Sequence, residues 1–126
     1  MKKLKSNKEL EELIANEKYL VVDYSTTWCG PCKQLEPLLV QYEKEHPAVV
    51  VVKVDCDAHD ELATEHRIQS VPTVEVFVKG VRVERFTGFL GYPNLCKKLD
   101  KMFDKNVKSN YLALSYEIVG DCCDLE

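Results

Sequence analysis

Four consecutive valines, Val49 to Val52, followed directly by Lys53 and Val54, limit what this chain can fold into more than any other feature. β-Branched side chains favour extended backbone, and a run without polar alternation has no face to offer water. Such a run predicts a central strand covered on both sides. A similar run, Tyr19 to Tyr24 (YLVVDY), precedes it and is interrupted only by Asp23. Between the two, Leu35, Leu38, Leu39 and Tyr42 recur at helical spacing up to His46-Pro47, with Pro37 inside as an expected kink. The two strands and their helix form a βαβ unit, the signature of a parallel sheet in an α/β domain.

The flanking segments extend this unit. Ser6 with Glu9 makes a capping box, and Leu10, Leu13 and Ile14 follow at helical spacing, which predicts a helix over 7–16. Asp57 is placed to cap a short helix running to about His66, with Leu62 and Ala63 on its apolar side and Val71-Pro72 breaking it. Thr73 to Val78 and Val81 to Phe86 flank Lys79-Gly80 as a tight hairpin, and a last helix carries Leu95, Leu99, Met102 and Phe103. The expected order is α-β-α-β-α-β-β-α, with room for a short first strand at Lys3 to Lys5. This unit takes residues 1–104; residues 105–126, with their own alternation in Leu112, Leu114, Tyr116 and Ile118, read as a C-terminal extension.

At 126 residues and 45% apolar types, the chain has enough material for one core without disulfide staples. Lys and Arg number 17 against 21 for Asp and Glu, with no long block of one sign, so nucleic acid and anionic membrane are poor partners. The basic N-terminus runs into Glu9, Leu10, Glu11 and Glu12 instead of an apolar signal core, and no stretch of about 18 apolar residues occurs. These features predict a soluble, intracellular protein. In a reducing compartment its six cysteines, at 29, 32, 56, 96, 122 and 123, are expected to be catalytic, metal-binding or buried, and not a structural framework.

Cys29 and Cys32 stand at i and i+3 where a helix begins, a spacing that brings their β-carbons close enough for a disulfide to form and break without refolding. Unpaired N–H groups and the helix dipole favour a thiolate at the first cysteine, which makes Cys29 the expected nucleophile and Cys32 the resolving thiol. Gly30 and Pro31 keep the turn tight, and Pro31 brings no N–H to a position that lacks a partner for one. A structural zinc site would need four ligands, and neither a second Cys-x-x-Cys nor a His pair supplies the rest.

Asp23 is an acid inside an apolar strand, so either its carboxyl has a raised pKa or it is a structural, hydrogen-bonded group. Lys53 reads by itself as a solvated strand-edge charge. Cys56 and Cys96 read as small buried or surface residues, and His46, His59 and His66 as members of solvated faces. Cys122 and Cys123 can close only a strained ring, which suits either an accessory redox pair or an incidental pair in a tail.

The segment Trp28-Cys29-Gly30-Pro31-Cys32-Lys33, with Asp23 ahead of it, Pro37 in the following helix, Val71-Pro72-Thr73, Lys79-Gly80 and Gly88, resembles the thioredoxin family from about Lys3 to Phe103. The resemblance implies a central mixed β-sheet with helices on both faces and a cis Pro72 opposite the cysteines. It further implies that Trp28, Gly30, Pro31, Val71, Pro72, Thr73 and Gly88 bind an extended substrate strand. Asp23 becomes the proton acceptor for the resolving thiol, with Lys53 beside it. The activity implied is protein-disulfide reduction, with no bound cofactor and no metal. A redox-active Cys29–Cys32 disulfide is recycled by NADPH through thioredoxin reductase, in the cytoplasm. Partners implied are disulfide-containing proteins, peroxiredoxin and ribonucleotide reductase. Tyr24 stands where the family usually has Phe and Ser25 where bacterial members have a second Trp; Ser25-Thr26-Thr27-Trp28 looks like the eukaryotic cytosolic pattern. The alternative function is a redox-switched adaptor that binds partners through Trp28, Val71 or the tail.

Overall fold

The computed structural model describes residues 1–108, with side chains through residue 103. They fall into two compact units, the first running Met1–Phe89 and the second beginning at Leu90. The first unit carries β1 (Lys2–Lys3), α1 (Asn7–Asn16), β2 (Tyr19–Ser25), α2 (Gly30–Glu45), β3 (Val49–Asp55), α3 (Asp60–Glu65), β4 (Thr73–Val78) and β5 (Val81–Thr87). The second carries α4 (Tyr92–Lys108).

The valine run behaves as its composition requires. β3 lies inside a five-stranded sheet of order β1-β3-β2-β4-β5, parallel to both β1 and β2, while β4 pairs antiparallel with β2 and β5. Alternation splits the sheet's side chains between two faces. Leu20, Val22, Tyr24, Val52, Val54 and Phe77 join Leu4, Leu10 of α1 and Leu62 of α3 in one buried cluster. Val21, Asp23, Val51 and Lys53 point the other way, toward α2, where Lys53 meets Glu36. Helices therefore cover both faces, as expected.

The first helix starts where its cap places it, with Ser6 Oγ accepting the Glu9 N–H at 3.1 Å. The first strand lies slightly earlier than expected, at Lys2–Lys3; the ladder continues through the Leu4 N–H, which donates to the Lys53 carbonyl at 2.8 Å while the Leu4 side chain enters the core. Asp57 does not cap α3. Asp55 Oδ1 accepts the Asp57 N–H at 2.9 Å in a local turn, the helix is delayed to Asp60, and His59 occupies the cap position without a side-chain capping bond. At the hairpin, Lys79 (φ 51°) and Gly80 (φ 85°) both adopt the left-handed conformation that a two-residue connection between twisted strands requires.

On the face shared with α3 one acid, Glu75 of β4, is fully buried. Its carboxylate accepts from Tyr24 Oη (2.9 Å), His66 Nδ1 (3.0 Å) and Arg82 Nη1 (3.1 Å). Arg85 reaches the same carboxylate at 3.5 Å and donates to the carbonyls of His66 and Arg67, each at 2.6 Å. His66 is thus an anchor at the end of α3 and not a solvated-face residue, because a buried acid on the next strand needs its donor. The hydroxyl that distinguishes Tyr24 from Phe is used by the same acid.

Candidate functional site

The site is built at the point where β2 ends and α2 begins. Cys29 is the N-cap of α2, Gly30 and Pro31 open the helix, and the Cys32 N–H donates to Cys29 Sγ at 3.2 Å. A sulfur thus takes the place of the usual capping oxygen, and one orphan donor of the helix terminus, the Cys32 N–H, is directed at it. Cys29 and Cys32 are joined by a disulfide, with their Cα atoms 5.3 Å apart. Both are largely buried. Placing the sulfur of Cys29 among helix N-terminal donors stabilises its thiolate when the bond opens.

The facing wall comes from the loop between α3 and β4. The Val71–Pro72 peptide is cis, and Cys29 Sγ lies 3.7 Å from the Val71 carbonyl oxygen. Thr73 Oγ1 donates to the Ser70 carbonyl at 2.7 Å, and the Gly88 N–H donates to the Pro72 carbonyl at 2.8 Å, so β4 and the end of β5 hold this loop from both sides. Gly88, at φ 89°, takes a backbone conformation that side chains with a β-carbon rarely adopt. The rim is apolar and open. Trp28 is 72% exposed and Phe89 is 45% exposed, while the Trp28 indole N–H donates to Asp57 Oδ2 at 3.0 Å.

Behind the disulfide, β2 ends in a row of buried polar groups. Both carboxyl oxygens of Asp23, Ser25 Oγ and Thr26 Oγ1 have no hydrogen-bond partner among the described residues. Burial pushes the Asp23 carboxyl up to about 7, an effect that Lys53 opposes and Glu36 reinforces. An acid with that pKa exchanges a proton near neutral pH. Lys53 is Asp23's register partner in the parallel ladder, but its ammonium is bonded to Glu36 at 2.7 Å.

The structure therefore brings together Asp23, Trp28, Cys29, Gly30, Pro31, Cys32, Val71, Pro72, Thr73 and Gly88, with Lys53 at the edge of the group. Glu36, Asp57 and Phe89 belong to the same neighbourhood and escaped sequence reasoning. Glu36 had a detectable signal, since it lies one helical turn beyond Cys32 and so on the same side of α2. Cys56 is a half-buried free thiol, pushed up to about 11 by burial and then by Asp55, Asp57 and Asp23, which suppresses its thiolate. Cys96 is fully buried. Cys122 and Cys123 lie outside the described residues. Among the described residues, no three His, Cys, Asp or Glu side chains gather as metal ligands, and no helix is long and apolar enough to cross a membrane.

Comparison with known proteins gives one consistent result. The family model described as Thioredoxin matches residues 2–101. A thioredoxin from Equus caballus is 37% identical over 90 residues, covering 70% of this chain and 86% of its own. The solved structure of Plasmodium falciparum thioredoxin superposes with a TM-score of 0.75 at 30% identity, covering 80% of this chain and 98% of its own. A chain from a study of thiol resolution in yeast mitochondrial 1-Cys peroxiredoxin via glutathione and thioredoxin systems gives a TM-score of 0.74 at 30% identity, covering 80% and 94%.

Proposed function

The chain belongs to the thioredoxin family, and from that membership we propose how its protein-disulfide reductase activity is divided among individual residues. The activity is dithiol/disulfide exchange through Cys29 and Cys32. One observation carries it: a closed Cys29–Cys32 disulfide at the first turn of α2, with the leading sulfur as helix cap.

In the reduced protein, the Cys29 thiolate attacks one sulfur of a substrate disulfide, forms a mixed disulfide and releases the other substrate sulfur as a thiolate. Cys32, held in the same helical turn, loses its proton and attacks Cys29 Sγ. This releases the second substrate thiolate and closes the Cys29–Cys32 bond. Two electrons pass to the substrate, and holding both thiols on one rigid turn makes the second attack intramolecular.

Asp23 is the acceptor for the Cys32 proton in this reading, and Lys53 adjusts its charge. Support comes from the raised pKa of Asp23, its unpartnered oxygens and its ladder position beside Lys53. Trp28, Gly30, Pro31, Val71 and Gly88 form the docking surface, where an extended substrate segment meets the exposed indole and the Val71 main chain, while the buried Pro72 and Thr73 hold the loop from beneath. Residues 1–104 act as the thioredoxin domain and residues 105–126 as an appendage, with Cys122–Cys123 as an accessory redox pair.

Disulfide-containing proteins are the substrates. Recycling by NADPH through a thioredoxin reductase follows by analogy, as do peroxiredoxin and ribonucleotide reductase as clients and the cytoplasm as location; a neighbouring solved structure concerns a peroxiredoxin. The test is NADPH oxidation in a mixture of this chain, a thioredoxin reductase and insulin. Turnover that needs all three components is the expected result. NADPH oxidation that does not depend on this chain would exclude the recycling route.

A further inference from the structure

We propose that Glu36 is a positioning residue for the proton-transfer step, holding the Lys53 ammonium away from the Asp23 carboxyl. The inference rests on the reading of Asp23 as proton acceptor and adds a residue that this reading does not use.

Asp23 and Lys53 are direct partners across the parallel β2–β3 ladder, so their side chains leave the sheet on the same face. Left to themselves, a buried carboxyl and the adjacent ammonium would pair. They do not. Lys53 Nζ lies 2.7 Å from Glu36 Oε1, whereas both Asp23 oxygens have no hydrogen-bond partner among the described residues. Glu36 reaches Lys53 because it sits one turn after Cys32 on α2, above the end of β3. The Lys53 and Glu36 side chains are 29% and 41% exposed, so their bridge forms at the solvent edge, whereas Asp23 is buried beneath it.

The charges around Asp23 are few. β3 contributes Lys53, α2 contributes Glu36 and the cysteine pair, and Cys56 follows β3 with a thiol that stays protonated near neutral pH. From β4 the ladder partner is Val74, which is apolar. Burial dominates the titration of Asp23, with Lys53 drawing the carboxyl down and Glu36 pushing it up. Glu36 therefore acts twice with one sign. It adds a negative charge nearby, and it ties up the cation that would favour the carboxylate. Its consequence is a base that remains strong enough near neutral pH to take the Cys32 proton.

The experiment follows the Asp23 carboxyl carbon by NMR against pH in the oxidised protein, where the disulfide keeps the active-site thiols from titrating. In Glu36→Gln, whose side chain is partly exposed and of matching size, the Asp23 midpoint should fall by about half a unit to one unit. In Lys53→Met the midpoint should rise. Adding Glu36→Gln to Lys53→Met should then move it much less than in the wild type. An unchanged midpoint in Glu36→Gln would overturn the proposal, as would an undiminished effect in the Lys53→Met background, which would leave Glu36 acting by direct repulsion alone. Failure of the underlying reading appears elsewhere: if Asp23→Asn leaves the pH dependence of the Cys32 attack on a mixed disulfide unaltered, Asp23 is not the acceptor, whatever the titration shows for Glu36.

Discussion

Replacing Asp23 with Asn should change how the stability of this protein depends on pH, and the size of the change can be worked from its burial. The folded carboxyl titrates at about 7 against an ordinary value of 3.8, chiefly because burial penalises the charged form. Between those values the unfolded chain has released its proton while the folded chain keeps it. The folded state therefore binds more protons, and stability must fall as pH rises through the window. A difference of about three units, at about 1.36 kcal/mol each, corresponds to roughly 4 kcal/mol lost from acid to alkaline pH, an upper figure because water entering the site softens it. The Asp23→Asn variant would carry a buried amide whose cost is the same at every pH. The assay is urea unfolding of the oxidised wild type and Asp23→Asn from about pH 4 to about pH 8.5, reading the difference between the two curves so that other titrating groups cancel. The variant should gain on the wild type steadily as pH rises and level off above about 7. Parallel curves across the window would refute the reasoning.

The buried acid on the opposite face should behave in the other sense. Burial pushes Glu75 up, but bonds from His66, Tyr24 and Arg82 outweigh it and hold the carboxyl below its usual value, so its stabilisation is present at neutral pH and is lost as pH falls through the folded value. Glu75→Ala, which leaves those donors facing an empty site, should cost about 3–5 kcal/mol in urea unfolding at neutral pH, and Tyr24→Phe about 1–2 kcal/mol. A Glu75→Ala protein as stable as the wild type would show that the network is incidental. Cys32→Ser should leave Cys29 able to attack but not to be released, so substrate proteins should accumulate as mixed disulfides that dithiothreitol frees; their absence would remove Cys32 from the resolving role. Asp57→Ala should leave stability within about 1 kcal/mol, since the bond to Trp28 is exposed, while raising the KM for protein disulfides by freeing the indole at the rim.

Much of this architecture was legible because single residues constrained it from one side only. The valine run had no polar face, so β3 had to be internal; Ser6 and Glu9 fixed the start of α1; Lys79-Gly80 fixed the hairpin. The cysteine pair likewise declared its chemistry through spacing and through Pro31 at the helix start. What escaped were interactions set by the meeting of distant segments. Asp57 looked like a helix cap, since local patterns show an acid before a helix but not the indole or the Asp55 turn that claims it. His66 looked solvated because nothing near it in sequence names Glu75 on the next strand. Glu36 carried no motif of its own, although its place a turn after Cys32 put it over the sheet. Lys53 was set beside Asp23 only by the family resemblance; the β2–β3 ladder makes the two register partners, and which acid took the ammonium depended on the side-chain geometry of α2.

Cys29 and Cys32 together carry two electrons to a protein disulfide. The direct measurement is a single turnover: fully reduced chain is mixed with insulin, excess reductant is absent, and free thiols on both partners are counted by mass after alkylation. In the wild type, thiols should appear on insulin in the same amount as they are lost from Cys29 and Cys32 on closing their disulfide, while Cys29→Ser should show neither change. Insulin reduction by Cys29→Ser at the wild-type rate, or by wild type without closure of that disulfide, would contradict this two-electron transfer.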